Sequence, residues 1–215
     1  VRMNAVGRMI HTSTSEAYGT AIYTPIDEKH PLQAQSPYAA TKISADKLVE
    51  SYHLSFNLPV STLRPFNTYG PGQSARAIVP TVVMQALNSD TVHLGDLRPI
   101  RDLNFVDDTV RAFIANAESE GCIGKVVNCG SGAGVSIREM VDIVFSIIGT
   151  NKKVVTDEAR IRPEKSEVFE LVCDNRQAFK VMGWKPQVNL REGLSLTIDF
   201  MRSNSYLENV KGYIT

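Results

Sequence analysis

The order of three segments near the start of the chain limits the fold more than any other feature. Residues Arg8–Ser13 are rich in β-compatible residues and run into a polar turn, which predicts a strand. A long helical pattern follows, and Val60–Leu63 predicts a second strand, closed by Arg64–Pro65. A strand, a helix and a strand in this order favour a parallel sheet with a right-handed crossover. The sequence therefore predicts half of a doubly wound α/β fold.

The helix between these strands has clear sequence markers at both ends. Ser36 is a good N-cap, Pro37 suits the first helical position, and the helix is predicted to end near Asn57. Tyr38 and Lys42 fall in its first two turns. One apolar face is predicted to consist of Ala45, Leu48, Val49, Tyr52 and Phe56.

Tyr38 and Lys42 are four residues apart and therefore share one face of this helix. An ammonium beneath a phenol favours the ionised phenol, whose pKa is ordinarily about 10, and so supplies a base near neutral pH. The spacing alone is weak evidence, because a solvated lysine beside a packed tyrosine gives the same pattern. The cluster of hydroxyl and carboxylate side chains in Thr12–Gly19, just upstream, strengthens the catalytic interpretation.

The rest of the chain is read from apolar periodicity and helix-end signals. Asp107 and Asp108, at a helix start, are interpreted as partners of the helix dipole rather than metal ligands. Gly130–Gly134 looks like a phosphate cradle, but a plain turn is the favoured interpretation. The predicted helices are Ile78–Leu87, Val106–Ala117, one capped by Ser136 with Glu139 as a capping box, Asn175–Met182 and one from about Leu190, and the predicted strands are Thr91–Leu94 and Val126–Cys129.

Composition argues against several classes of protein. With 215 residues, 43% of them hydrophobic, the chain has ample material for a core. The 23 basic residues balance the 23 acidic ones, which gives no argument for a nucleic-acid or membrane partner. Three cysteines without a CxxC pair, and histidines without ligand spacing, predict neither disulfides nor a metal site. No signal peptide or membrane-spanning run is visible, so a cytoplasmic protein is expected.

Together, these motifs resemble the extended short-chain dehydrogenase/reductase family, whose NAD-dependent epimerases and dehydratases act on nucleotide sugars. The segment Ser13–Gly19 is similar to that of the 4,6-dehydratases, whereas simple 4-epimerases usually carry no Glu at the position of Glu16. Pro25–Gln33 and Gln73–Ala77 look closest to the dehydratases of the legionaminic-acid pathway, whose substrate is a nucleotide-linked N-acetylglucosamine. The resemblance continues through Arg64–Pro71, Arg101–Asp102, Val126–Asn128 and Arg162–Pro163.

The resemblance implies two regions. Residues 1–70 would be the remaining part of a Rossmann-type NAD-binding domain that carries the catalytic residues. Residues 71–215 would form a smaller α/β domain, mainly for substrate binding, with some segments returning to the first domain. Family members begin with a strand, a glycine-rich turn and a helix that hold the NAD pyrophosphate. None precedes Tyr38 here, so the N-terminal βαβ units are expected to be missing and the chain to be a fragment.

The resemblance also implies residue roles in a dehydration. Tyr38 would take the proton of the sugar 4-hydroxyl while hydride passes to NAD, with Lys42 holding the phenol ionised. Glu16 would then abstract the C5 proton, water would leave across C5 and C6, and hydride would return to C6. The expected catalytic residues are Thr14, Ser15, Glu16, Tyr38 and Lys42, and the expected cofactor-binding residues are Thr12, Tyr38, Lys42 and Pro65.

A nucleotide diphosphate needs cationic and amide donors, and arginine is the preferred fork for it. The residues expected to bind the substrate are Thr14, Asn67, Arg76, Arg101, Asn128 and Arg162. Arg64 is instead expected to anchor the end of its strand. The Tyr38 helix commonly contributes to a dimer interface in the family, so a homodimer is expected for the full-length protein.

Ser15 stands where many family dehydratases carry an Asp as general acid. A serine hydroxyl is a poor proton donor at neutral pH, so either Glu16 passes its proton to the leaving hydroxyl or a water bound by Ser15 does so. The Thr-Ser-Glu pattern also resembles the nucleotide-glucuronate decarboxylases. The alternatives are therefore such a decarboxylase, a sugar 4-epimerase, or a non-catalytic module that binds sugar nucleotides.

Overall fold

The computed structural model describes Met3, residues 6–160 and residues 168–203. The strands of these residues are β1 (Met9–Thr12), β2 (Val60–Pro65), β3 (Asn67–Tyr69), β4 (Thr91–Leu94), β5 (Ile100–Phe105), β6 (Val126–Cys129), β7 (Gly134–Ser136), β8 (Lys153–Thr156) and β9 (Glu170–Leu171). Their α-helices are α1 (Pro37–Phe56), α2 (Ile78–Asn88), α3 (Val106–Glu118), α4 (Ile137–Ile148), α5 (Arg176–Met182) and α6 (Leu190–Ser203).

A parallel sheet with the order β1-β2-β6 organises the first region. Met9 of β1 pairs with Val60 of β2, and Thr62 of β2 pairs with Val126 of β6. Helix α1 forms the crossover from β1 to β2, while α3 and α5 pack on the same sheet. All of β2 except Pro65 is buried, as expected for a central strand of a covered parallel sheet. The predicted parallel strand-helix-strand unit is confirmed.

Helix α1 begins and ends at the predicted residues. The Ser36 hydroxyl accepts a hydrogen bond from the N–H of Ala39, and Pro37 occupies the first helical position. At the other end Asn57 adopts the left-handed conformation, with φ at 50°, and its N–H donates to the carbonyl of His53. Because both ends are fixed, the position of Tyr38 and Lys42 along the helix is fixed as well.

The apolar face predicted on α1 is exposed over much of its length. Leu48, Tyr52 and Phe56 are 60%, 41% and 46% exposed, and the fully buried residues of the helix are Ala39 and Asp46. A period of 3.6 residues identifies a stripe but does not say what covers it. The side that α1 turns to the sheet is small and polar rather than apolar, because it carries Ala39 and Asp46.

The second region packs helices on a mixed sheet around β5 and on a separate two-stranded sheet. Strand β5 pairs in parallel with β3 and β9 and antiparallel with β7, and β4 pairs in parallel with β8. Its core contains fully buried side chains from α2, α4 and α6, among them Val82, Met140 and Ile198. The capping box predicted at the start of α4 is present. These elements complete the α/β fold class that the sequence predicts.

Some elements beyond residue 70 pack with the first sheet. Strand β6 pairs with β2, and Cys122 and Trp184 share a buried cluster with Leu63. The chain therefore crosses between the two packed regions more than once. A division into domains at residue 70 stays a prediction.

Candidate active site

The end of β1 carries the hydroxyl and carboxylate side chains that the sequence singles out. A single 3₁₀ turn, Ser15–Tyr18, follows directly, and the Thr14 hydroxyl caps it by accepting the N–H of Glu16 at 3.2 Å. Ser15 is buried, whereas Thr14 and Glu16 are half-buried and accessible. Ligands of open α/β sheets bind at the carboxyl ends of the strands. This turn therefore presents Thr14 and Glu16 where a substrate can approach.

The start of α1 is tied to the same end of β1. The Lys42 ammonium donates a hydrogen bond to the Thr12 carbonyl at 3.0 Å and lies 6.0 Å from the centroid of the Tyr38 ring. Tyr38 is 52% exposed. The fold therefore brings together the two predicted motifs, which are more than twenty residues apart in sequence, at one edge of the sheet.

A second tyrosine, Tyr18, follows Glu16 closely but is unsuited to proton transfer. It is fully buried, its hydroxyl donates to the Asn128 side-chain oxygen at 2.8 Å, and the Arg64 guanidinium lies 4.6 Å from its ring centroid. Burial raises the pKa of Tyr18 to about 12. Of these two tyrosines, Tyr38 is the one whose phenol is accessible.

Arg64 is a structural residue, as expected for a strand anchor. It is 2% exposed and forms an ion pair with Asp46 of α1 at 2.6 Å. Asp46 also accepts hydrogen bonds from the Ser13 hydroxyl and from His11 Nε2. Asp46 was not predicted from the sequence. Its signal is a carboxylate four residues after Lys42, on the face of α1 that carries Tyr38 and Lys42.

The stretch after β2 carries two predicted binding residues. Pro65 is half-buried at the carboxyl end of β2, next to the end of β1. Asn67 begins β3, and its side-chain oxygen is buried without a hydrogen-bond partner among the described residues. An unpaired buried acceptor is costly unless something else bonds it. Asn67 is therefore suited to receive a ligand hydroxyl or amide.

The structure separates the predicted substrate-binding residues into different environments. Arg76 is exposed in the loop before α2, and Arg101 lies half-buried on β5, where its Nη1 donates to the Ile100 carbonyl. Arg162 lies outside the described residues. Asn128 is fully buried, and its side chain bonds the Tyr18 hydroxyl and the carbonyl of Ile26. A substrate contact for Asn128 does not fit this position, since both ends of its amide are occupied in the interior.

The glycine-rich loop after β6 is a turn built around a carboxylate. Asp102 is fully buried and accepts the N–H groups of Ser131 and Gly132 at 2.7 and 2.9 Å, and that of Cys173 at 3.0 Å. These amides would have to be free to bind a phosphate, and they are occupied. The interpretation as a plain turn is therefore the one that fits.

Two further features, a metal cluster and a membrane-spanning helix, are absent from the described ranges. No three His, Cys, Asp or Glu side chains in them are grouped as a metal ion would require. Within the same ranges, none of the helices has both the length and the apolar character that a membrane crossing needs.

Cys122, Cys129 and Cys173 are buried thiols, and burial raises the pKa of each.

Comparison of the sequence with known proteins identifies a family to which the chain is similar. The family described as GDP-mannose 4,6 dehydratase matches residues 1–197. The chain is 33% identical over 210 residues to the UDP-glucose 4-epimerase of Mycolicibacterium smegmatis, covering 95% of this chain and 65% of that protein. It is also 33% identical over 202 residues to the dTDP-glucose 4,6-dehydratase of Streptomyces antibioticus, covering 94% and 59% respectively.

Solved structures show the same likeness. The dTDP-glucose 4,6-dehydratase of Bacillus anthracis in complex with NAD superposes with a TM-score of 0.87 at 25% identity, covering 95% of this chain and 65% of that one. The UDP-glucuronic acid 4-epimerase of Bacillus cereus, in complex with UDP-glucuronic acid and NAD, gives 0.86 at 27% identity, covering 94% and 63%. The chain thus spans less than two thirds of the length of these relatives. It belongs to the GDP-mannose 4,6-dehydratase family, among the NAD-dependent nucleotide-sugar epimerases and dehydratases of the short-chain dehydrogenase/reductase superfamily.

Proposed function

We propose that the full-length protein is an NAD-dependent 4,6-dehydratase of a nucleotide-linked hexose, of the N-acetylglucosamine type. One observation carries the proposal. The Glu16 carboxylate lies half-buried at the end of β1, on the edge where Lys42 joins the helix of Tyr38 to Thr12. Oxidation at C4 needs a base such as Tyr38. Removal of a C5 proton needs a second base, and Glu16 supplies one.

The residues present fit a dinucleotide cofactor. The Lys42 ammonium has three donors, and its bond to Thr12 uses one, which leaves capacity for ribose hydroxyls at the exposed edge. Pro65 lies on the neighbouring strand at the same edge. A bound NAD would supply the hydride acceptor for C4 and the hydride donor for C6. The complexes of two similar proteins with NAD support this choice of cofactor.

The chain's own residues perform the proton transfers. Tyr38 accepts the proton of the sugar 4-hydroxyl, and Lys42 stabilises the phenolate by its charge. The Thr14 oxygen accepts the Glu16 N–H, which leaves its own O–H to donate to the C4 oxygen. Once C4 is a ketone, the C5 hydrogen is acidic and Glu16 removes it.

The elimination also needs an acid for the C6 hydroxyl. Ser15 is only 2% exposed, and its hydroxyl is a poor proton donor at neutral pH. Glu16, which has just received the C5 proton, is placed to pass it to the departing hydroxyl, so that the two leave together as water. A proton from solvent then enters at C5, and the product is a 4-keto-6-deoxy sugar.

The substrate diphosphate is assigned to Arg76 and Arg101, because a guanidinium binds phosphate oxygens in pairs. Asn67, with its unpaired buried oxygen, is assigned to a donor on the sugar or nucleotide side. The expected role of Arg162 also remains part of this proposal.

The proposal is tested by incubating the full-length protein with NAD and a panel of nucleotide sugars. A dehydratase releases a 4-keto product whose enolate absorbs in alkali, with a nucleotide-linked N-acetylglucosamine as the preferred substrate. Release of carbon dioxide from a nucleotide glucuronate would instead identify a decarboxylase. A product that differs from the substrate only in its C4 configuration would identify an epimerase, an activity named for similar proteins.

We also propose that the full-length protein is a homodimer through α1. The exposed Leu48, Tyr52 and Phe56 form a stripe with four-residue spacing along the outer half of this helix. Light scattering of the full-length protein with Tyr52→Glu, beside the wild type, tests this. A dimer that the substitution dissociates supports the interface, and a monomeric wild type contradicts it.

A further inference from the structure

A buried polar cluster lies directly beneath the candidate active site. Its centre is Asp46, which is 4% exposed. One carboxylate oxygen of Asp46 accepts His11 Nε2 at 2.9 Å, and the other accepts the Ser13 hydroxyl at 2.8 Å and Arg64 Nη2 at 2.6 Å. The donors come from β1, from Ser13 directly after it and from β2, and the acceptor comes from α1. One carboxylate thus joins three elements that the chain order separates.

The cluster lies close in sequence to both halves of the site. Asp46 follows Lys42 by one helical turn and Tyr38 by two, at a rise of about 1.5 Å per residue. Ser13 immediately precedes Thr14, the residue that caps the turn carrying Glu16. A shift of Asp46 relative to Ser13 therefore moves the phenol relative to the Thr14–Glu16 turn.

Helix α1 has two attachments to the end of β1, and they differ in kind. The bond from Lys42 to the Thr12 carbonyl lies on the exposed edge, where the ammonium has to contact other groups during catalysis. The bonds of Asp46 are buried, and the carboxylate is matched by the charge of Arg64. A buried, hydrogen-bonded ion pair is costly to break, because either partner alone leaves an uncompensated charge. The bonds of Asp46 therefore stay in place when Lys42 exchanges its bond to Thr12 for a bond to another group.

We propose that Asp46 is a positioning residue, which fixes Tyr38 and Lys42 against the Thr14–Glu16 turn through Ser13. The proposal rests on the proposed function insofar as it concerns catalysis. Asp46 itself contacts no reacting atom. It acts by holding the helix, so its loss should lower kcat while the KM for the nucleotide sugar stays nearly constant.

Two variants of the full-length enzyme and one control test the proposal. Ser13→Ala removes the hydroxyl link and leaves the charge pair of Asp46 with Arg64 intact. Asp46→Asn removes the charge at nearly constant volume. The control is Ser44→Ala on the exposed side of α1, whose hydroxyl donates to the Ala40 carbonyl of its own helix at 2.9 Å.

Ser13→Ala is expected to lower kcat roughly tenfold, and Asp46→Asn about 10²-fold. KM should change by less than about twofold, and Ser44→Ala should match the wild type. Folded Ser13→Ala and Asp46→Asn enzymes with wild-type kcat would overturn the proposal. The proposal would also be overturned if each variant lost activity only in proportion to its loss of folded protein, so that kcat per folded enzyme stayed at the wild-type value. If Asp46→Asn fails to fold, Ser13→Ala decides.

A measurement without substrate separates this proposal from the proposed function. Hydrogen exchange of the full-length protein reports on the turn after β1, where the Ala17 N–H donates to the Thr14 carbonyl and the Gly19 N–H to that of Glu16. These amides should exchange faster in Ser13→Ala than in Ser44→Ala. Equal exchange rates of these amides in the two variants would refute the link between Asp46 and the turn, even if the enzyme is active. A wild type that turns over no nucleotide sugar would refute the proposed function, and the exchange data would still decide the link.

Discussion

Replacing Asp108 with Asn tests whether a buried carboxylate holds the chain before α6 onto α3. Asp108 is fully buried in the first turn of α3, and it forms an ion pair with Arg111. Its two oxygens accept the N–H groups of Gln187 at 2.8 Å and Val188 at 3.0 Å. An amide offers one acceptor oxygen, and its NH₂ group would face the second N–H. One hydrogen bond to a charged group is therefore lost, and a buried donor is left unpaired.

The magnitude follows from these contacts. A hydrogen bond to a charged group contributes about 1.5–3 kcal/mol, and a buried donor without a partner costs about 1–3 kcal/mol. These two figures describe one donor and are not added, but Arg111 also loses its charge partner. We expect Asp108→Asn to lower the free energy of unfolding by about 3 kcal/mol. The matched control is Asp107→Asn, because Asp107 is exposed in the same turn and contributes about 0.3–1 kcal/mol through the helix dipole.

Equilibrium urea unfolding of the full-length protein measures both variants, provided that the slope with denaturant is unchanged. The structure predicts a loss at Asp108 several times the loss at Asp107. Equal small losses would show that both carboxylates act only on the helix dipole, which is the role that the sequence suggests for both.

Three further predictions follow from single contacts. Burial raises the pKa of Glu28, so the stability that Glu28 contributes is present in acid and is lost as pH rises through its folded pKa. Glu28→Gln should therefore have the same unfolding free energy as the wild type in acid and a higher one at neutral pH. A difference between the two proteins that does not change with pH would contradict this. Tyr38→Phe should lower turnover about 10²–10⁴-fold, whereas Tyr18→Phe should lose stability but keep its kcat. A Tyr38→Phe enzyme that is more active than Tyr18→Phe would exclude Tyr38 as the base. Ser136→Ala removes the cap that accepts the Glu139 N–H at 3.1 Å, and calorimetry should show that the unfolding free energy falls by about 1 kcal/mol. An unchanged unfolding free energy would mean that the capping box is not needed for α4.

Where the sequence predicted the fold well, local chemistry determines the structure. Ser36, Pro37 and Asn57 mark the ends of α1 because caps and left-handed termini depend on a few neighbouring residues. The strands β1, β2 and β6 were also predicted, since short apolar runs between polar turns are typical of a covered parallel sheet.

Four strands around β5 were not predicted. Strand β5 contains the polar residues Arg101, Asp102 and Asn104, and no strand was predicted over them. Asp102 is nevertheless buried, because backbone N–H groups some thirty and seventy residues away bond it, among them those of Ser131 and Cys173. The short strands β3, β7 and β9 pair with β5 and have no periodicity of their own to detect.

The candidate site was predicted from its motifs, and its supporting residues were not. Thr14, Glu16, Tyr38 and Lys42 stand in recognisable patterns and meet at one edge of the sheet. Asn128 stands in a motif too, yet its amide is used inside the protein. A motif gives the residue type and its place in the chain, but the direction of a side chain depends on packing between strands.

Solvent deuterium at C5 distinguishes a 4,6-dehydration from a simple epimerisation. The full-length protein is incubated with NAD and its preferred nucleotide sugar in heavy water, and the product is analysed by mass spectrometry and NMR. A dehydratase should give a 4-keto-6-deoxy product with deuterium at C5. Glu16→Gln should still oxidise C4 but should no longer exchange C5. A C4 epimer without deuterium at C5, or unaltered C5 exchange in Glu16→Gln, would contradict the account.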